Sequence, residues 1–218
     1  MIKKKIDIIF QRFAENKPTP KIELEYTCPF TLLVAVVLSA QSTDKGVNRA
    51  THKLFEIAGT PEKMVELGEE KLKEYIKTIG LFNAKAKNVI GLSQLLVEKY
   101  NSVVPNDFEE LQKLPGVGRK SAKVMLNSIW HQPVIAVDTH VFRVSNRIGL
   151  CKTKNPLQTE LALEKAIPLK WKIYAHHWMV LHGRYVCKAR KPECERCLIN
   201  DCCNFFKKEA KKITKNSR

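Results

Sequence analysis

The chain has 218 residues, 44% of them hydrophobic, enough to bury a sizeable core in one domain or two small ones without covalent staples. Its 38 Lys and Arg exceed 22 Asp and Glu by a formal net charge of +16, which favours a polyanionic partner, nucleic acid first. The longest apolar run, Phe30 to Leu38, is interrupted by Thr31 and falls far short of the roughly 20 residues of a spanning helix, which argues against a membrane protein.

The N-terminal stretch "MIKKKIDIIFQRFAENK" begins like a signal peptide, but Asp7 and Gln11 break its apolar segment and no small-residue cleavage site follows. Ile6, Ile9, Phe10 and Phe13 recur at helical spacing, so the stretch is expected to be an amphipathic helix docked on the core of a cytosolic protein. "FTLLVAVVLSAQ" and "PVIAV" carry β-branched residues that suit buried strands; Pro29 at a helix N1 position, and the lack of other strand candidates, favour a buried helix for the first. Helical periodicity continues over Pro61 to Ile79, Leu81 to Tyr100 and Asn106 to Leu114, with Gly80, Pro105 and Pro115 between and Asn106 as a cap. Ser121 to Trp130 reads as a further helix with Ala122, Met125, Leu126 and Ile129 on one face and Lys120, Lys123 and Asn127 opposite. Asp138 can cap a helix that begins at Thr139, and the basic tail from Phe205 is expected to fray. The pattern predicts an all-α fold without internal repeats.

Pro115-Gly116-Val117-Gly118 joins two of these helices. Glycine tolerates positive φ and lets another backbone approach closely, and the amides opening the next helix form a ready anion site. A bare turn of this kind more often serves only an αα-hairpin. Arg119 and Lys120 alter that balance, because cations at a helix N-terminus oppose the macrodipole by about 0.3 to 1 kcal/mol each, a cost that a bound phosphate would offset.

The seven cysteines, in a reducing compartment, point to metal ligation, catalysis or buried thiols before disulfides. Cys187, Cys194, Cys197 and Cys203 are spaced C-x6-C-x2-C-x5-C, which suits zinc or an iron-sulfur cluster; with one CxxC pair in place of zinc's usual two, the spacing leans to the cluster. Cys202 beside Cys203 leaves room for a one-residue slip in the fourth ligand. Cys28 and Cys151 stand apart and are expected to be buried thiols.

"LPGVGRKSA" followed by "IAVDTHVFRVSNRIGL" resembles the helix-hairpin-helix and aspartate signature of the endonuclease III family of DNA glycosylases, and "LSAQSTD", "IKTIGLFNAKA", "HHWMVLHGRYVC" and the cysteine tail extend the likeness over nearly the whole chain. The resemblance implies two helical lobes flanking a DNA-binding cleft. The first is a six-helix barrel lobe over 22–132, with the helix-hairpin-helix at about 106–130. The second is a 4Fe-4S cluster lobe from 1–21 and 133–218, with a cluster loop over 187–203 and a basic tail over 205–218. It implies Lys120 as nucleophile and Asp138 as its acidic partner, with Cys187, Cys194, Cys197 and Cys203 as cluster ligands. DNA contacts are implied for Gln41, which would fill the gap left by a flipped nucleotide, and for Leu81 as wedge, together with Gly116, Gly118, Arg119, His140, Arg143, Lys188, Arg190 and Lys191.

The expected activity is that of a bifunctional glycosylase and AP lyase, acting as a cytoplasmic, nucleoid-associated monomer on double-stranded DNA with oxidised pyrimidines or abasic sites. An adenine mismatch glycosylase of the same superfamily is the nearest rival. It typically lacks the lysine and carries an extra C-terminal domain, whereas Lys120 is present here and few residues follow Cys203. A non-catalytic DNA-binding module with a structural metal would need neither Lys120 nor Asp138.

Overall fold

In a computed structural model that describes residues 2–209, every regular element is helical and no strand occurs among those residues. The chain divides into two compact units: Ile22–His131 forms one, and the residues through Lys21 join those from Gln132 onward in the other. Helix α1 (Ile2–Asn16) belongs to the second unit and buries Ile6, Ile9, Phe10 and Phe13, the stripe its periodicity predicts.

The Ile22–His131 unit holds α2 (Pro29–Leu38), α3 (Asp44–Ile57), α4 (Pro61–Ile76), α5 (Phe82–Tyr100), α6 (Phe108–Lys113) and α7 (Arg119–Trp130). With Pro29 at N1 and every residue from Phe30 to Leu38 buried, α2 is apolar on all sides and packs against α3, α5 and α7. Its one buried hydroxyl, on Thr31, accepts from the Cys28 N–H at 3.0 Å and donates to the Cys28 carbonyl at 3.0 Å, so a polar group inside the core stays satisfied. Helix α4 bends at Gly68, whose φ of 77° lies outside helical space, and ends at Ile76, short of the predicted Ile79.

One further detail differs from the sequence reading. The cap of α6 is Asp107, not Asn106: its carboxylate accepts from the amides of both Glu109 (2.9 Å) and Glu110 (3.0 Å). Lys123 and Asn127, on the face of α7 opposite its apolar residues, are buried as well. Lys123 lies along the Phe108 ring, 5.9 Å from its centroid, an arrangement in which the aliphatic stem packs while the ammonium keeps an electrostatic partner.

The second unit contains α1, α8 (Thr139–Ile148), α9 (Pro156–Ala166), α10 (Leu169–Tyr185), a 3-10 turn at Asn200–Cys202 and helical residues 204–209. "PVIAV" forms neither helix nor strand; Ile135, Ala136 and Val137 are buried and the Ala136 carbonyl lies 2.8 Å from His176 Nδ1. The start of the basic tail does not fray as expected. Phe205 and Phe206 pack against the core of this unit and hold residues 204–209 helical, while 210–218 lie outside the described residues. Cys28 and Cys151 are half-buried, not fully enclosed. No helix among the described residues is long and apolar enough to cross a membrane.

Phe10 is the centre of the second core, fully buried with its ring 6.0 Å from Trp178 and stacked 6.3 Å from Trp171. Phe10→Ala is expected to cost about 3 to 5 kcal/mol, measured as a lower midpoint in urea denaturation.

Candidate functional site

The turn between α6 and α7 separates the duties of its two glycines. Gly116 has φ of 78°, and an added Cβ would sit 3.0 Å from both Asn88 Cβ and Val37 Cγ1, so the fold itself requires glycine there. Gly118 is different. Its φ of −92° is open to any residue, and a Cβ built on it meets nothing within 4 Å. The fold makes no demand for glycine at 118, yet leaving out a side chain keeps the approach to the first turn of α7 clear. Gly118, the N-cap, offers no side chain to that turn, and the first helical bond runs from the Ala122 amide to the Gly118 carbonyl at 2.9 Å, so the amides before Ala122 lie outside the helix's own ladder. Arg119 and Lys120 occupy N1 and N2, both exposed, and the Arg119 guanidinium rests 5.1 Å from the Phe108 ring centroid.

Gln41 and Leu81 lie on neighbouring turns of the same unit. Each adopts left-handed backbone geometry, with φ of 54° and 60°, which costs a non-glycine residue roughly 1 to 2 kcal/mol. Gln41 is exposed and Leu81 is 59% exposed, so Leu81 is not core packing. A Cβ on Gly80 would lie 3.8 Å from the Gln41 carbonyl, which sets the two turns side by side. Lys85 ties them: its amide bonds the Leu81 carbonyl at 3.1 Å and its ammonium donates to Ser42 Oγ at 2.9 Å. Burial pushes the Lys85 amine below its usual pKa range.

In the other unit, Asp138 caps α8, its Oδ1 accepting from the Val141 amide at 2.7 Å, as the Asp-Thr pair predicts. That bond uses one of the two carboxylate oxygens and fixes the direction of the other. His140 is half-buried, with Nδ1 3.1 Å from Arg143 Nη2. Arg143 is turned inward: Nε donates to the Cys187 carbonyl (3.1 Å) and Nη2 to the Gly183 carbonyl (2.8 Å), so it braces α8 against the end of α10 and the start of the cysteine segment.

Cys187, Cys194, Cys197 and Cys203 line one partly open pocket with Ile148, Ile199 and Phe205 among its walls. Cys202 is not in that wall; its sulfur lies 3.7 Å from Asp201 Oδ2, and it lines a separate pocket with Lys4, Lys5 and Lys207. Among the described residues no three of these side chains converge as the ligands of one metal ion do. Four thiols around one pocket are a donor set that suits an iron-sulfur cluster or zinc. Burial pushes the Cys197 thiol up to about 11, with the neighbouring sulfurs of Cys203, Cys187 and Cys194 adding to the shift. Burial also pushes His182 down to about 4, Arg196 adding to it, and its Nε2 stands 3.6 Å from Cys197 Sγ. Lys188, Arg190 and Lys191 are exposed between the first two cysteines; Lys188 pairs with Glu193, which also holds Arg196.

Residues 34–169 match the model of the HhH-GPD superfamily of base excision DNA repair proteins. Endonuclease III of Rickettsia conorii is 57% identical over 201 residues, covering 92% of this chain and 96% of that protein. Endonuclease III of Escherichia coli is 52% identical over 200 residues, covering 92% and 95%. The chain belongs to the endonuclease III family. A solved structure of a trapped endonuclease III–DNA covalent intermediate superimposes with a TM-score of 0.88 at 44% identity, over 95% of this chain and 98% of the other.

For an endonuclease III chain, the residues that sequence reasoning missed are cations with internal duties. Arg147 donates to the Lys188 carbonyl (2.7 Å) and the Ala189 carbonyl (2.8 Å), lies 3.6 Å from Cys187 Sγ and covers the Phe205 ring at 4.7 Å, so it ties the cysteine segment to the C-terminal helix. Neither Arg147 nor Lys85 carries a sequence signal, because Lys and Arg on helices are solvated by default. The two glycines give a direct test. Gly118→Ala is expected to cost less than about 1 kcal/mol of stability, the N-cap difference, while weakening duplex binding in fluorescence anisotropy. Gly116→Ala is expected to lower the unfolding midpoint more, through left-handed strain of about 1 to 2 kcal/mol and its 3.0 Å contacts.

Proposed function

We propose that Lys120 is the nucleophile and Asp138 its acidic partner in the removal of oxidised pyrimidines from double-stranded DNA by this chain, acting as a monomer. The chain is a base excision repair DNA glycosylase with AP lyase activity, in keeping with its family. The observation that carries the residue assignment is the first turn of α7, where an exposed Lys120 follows a glycine that leaves the helix amides open to a DNA phosphate.

The damaged nucleotide must leave the stack before its sugar can be reached. Gln41 and Leu81, exposed and held in left-handed turns side by side, suit the filling and wedging of the vacated stack. The Lys120 amine attacks C1′, and the N-glycosidic bond breaks with its electron pair leaving on the base, which takes up a proton. Positive charge developing on the sugar is stabilised by the Asp138 carboxylate. The amine loses a proton as the sugar ring opens, giving a Schiff base. Loss of the C2′ proton then forms the C2′–C3′ double bond and expels the 3′ phosphate. A relative caught as a covalent intermediate with DNA supports a nucleophilic route.

Cys187, Cys194, Cys197 and Cys203 would hold a 4Fe-4S cluster, which when bound supplies four iron-thiolate links tying the loop to the body. Arg190 and Lys191, with Lys188, would then present cations to a phosphate strand, while Arg143 acts by bracing the loop and His140 stands near the nucleotide.

Borohydride reduction is expected to trap wild-type protein covalently on duplex containing an oxidised pyrimidine, and to trap none with Lys120→Ala; a Lys120→Ala protein that nicks at the wild-type rate would remove the lysine from the mechanism. Asp138→Asn should keep the α8 cap, since Asn caps as well as Asp, leaving stability within about 0.5 kcal/mol. Its base excision should fall by about 100-fold or more in single-turnover assays. Purified protein is expected to be yellow-brown, absorbing broadly near about 400 nm, where a zinc protein would be colourless.

A further inference from the structure

Two cations of α1 grip the segment that carries the fourth cysteine of the proposed cluster site. Arg12 Nη1 and Nη2 meet Asp201 Oδ1 and Oδ2 at 2.5 and 3.0 Å as a fork, and Nη1 also donates to the Leu198 carbonyl at 3.0 Å. One guanidinium thus brackets the stretch between Cys197 and Cys203. Lys5, seven residues earlier and so on the same side of α1, donates to Asn204 Oδ1 at 3.1 Å and to the Ile148 carbonyl at 2.7 Å, pinning the residue after Cys203 to the end of α8. Between these grips Ile199 is fully buried and Cys203 is buried, while Cys202 is turned to the other side.

The helix that applies the grip is itself anchored from behind. Trp171 Nε1 donates to Asp7 Oδ1 at 2.7 Å and Trp178 Nε1 to the Lys17 carbonyl at 2.8 Å, both from α10. Phe13 lies 5.2 Å from the His182 ring, which reaches Cys197.

Nothing in the core accounts for Arg12 and Lys5, since the apolar stripe of α1 would dock without them. Their partners do: both act on residues 198–204, and the planar fork of Arg12 fixes a direction as well as a distance.

We propose that α1 is a retaining strap for the cluster site, in which Arg12 and Lys5 hold the 198–204 segment so that Cys203 and not Cys202 faces the cavity, and so set how long a bound cluster is kept. The proposal rests on the cluster reading above. An exposed ion pair adds little to global stability, so the effect belongs to local opening of the ligand-bearing turn, the step through which iron is lost.

The test is the loss of the iron-sulfur absorbance near about 400 nm when iron-replete full-length protein is incubated in air with excess EDTA, alongside iron content and the thermal midpoint of the helical signal. Arg12→Gln, Asp201→Asn and Lys5→Met are each expected to bleach about tenfold faster than wild type, the usual scale for groups that orient metal ligands, at a nearly unchanged thermal midpoint. Arg12→Gln combined with Asp201→Asn should bleach no faster than either alone, and Arg12→Lys, which keeps the charge without the fork, should fall between. Coloured, iron-containing wild type whose Arg12→Gln and Lys5→Met variants bleach at its own rate would overturn the strap and leave the cluster reading intact. Wild type without iron would overturn both. Should Lys5→Met fail to fold, the Arg12 and Asp201 pair decides the matter alone.

Discussion

The amides opening α7 have no helical carbonyl to receive them, and the N-cap residue, Gly118, has no side chain to cap them. A helix end in that condition is satisfied by water or by an anion, and its macrodipole favours the anion. Everything distinctive about the turn follows from keeping that end accessible. Gly116 makes the bend in a place where a side chain would collide, Gly118 leaves the approach bare, and two cations stand where helix stability alone would not put them. In the proposed mechanism the lysine in the same turn would take its position from the phosphate contact: a contact that reads no bases can still set one amine at a fixed distance from the backbone it holds.

The same logic of costs accepted locally recurs at Gln41 and Leu81. Both are held in left-handed geometry without the freedom of glycine, and Leu81 is an apolar side chain left in water. Strain of that kind persists only where surrounding structure enforces it. Beside them Lys85, a buried lysine, links the two turns, its ammonium on Ser42 and its amide on the Leu81 carbonyl. The cysteine segment uses cations in a similar way. Arg143 and Arg147 fasten its first half through backbone carbonyls, and Arg12 and Lys5 fasten its second half. For a chain of net charge +16 that meets a polyanion, some of the positive charge is thus structural, spent inside one unit on orphan carbonyls and carboxylates.

Much of this protein was legible before any coordinates. The periodicity of Ile6, Ile9, Phe10 and Phe13, the unbroken apolar run behind Pro29 and the Asp-Thr pair at 138–139 each specify a helix or its start through local rules, and each is found. The two-glycine turn, the adjacent lysine and the four-cysteine spacing mark chemistry because residue type and spacing are themselves the signal.

What sequence could not decide are properties that depend on which distant groups meet. Lys123 and Asn127 face polar on a helical wheel, yet they are buried, because whether a face is solvated is set by what packs on it. Asp107 takes the cap that Asn106 could have taken, a choice between adjacent acceptors made by backbone geometry. The helical start of the tail depends on a core for Phe205 and Phe206. In the proposed strap, Cys203 is chosen over Cys202 by α1, nearly two hundred residues away in sequence, which bonds Asp201 and Asn204 on either side of the pair. Local propensity and motif spacing are carried by neighbours along the chain; burial, strain and ligand direction arise from contacts that exist only once the chain has folded.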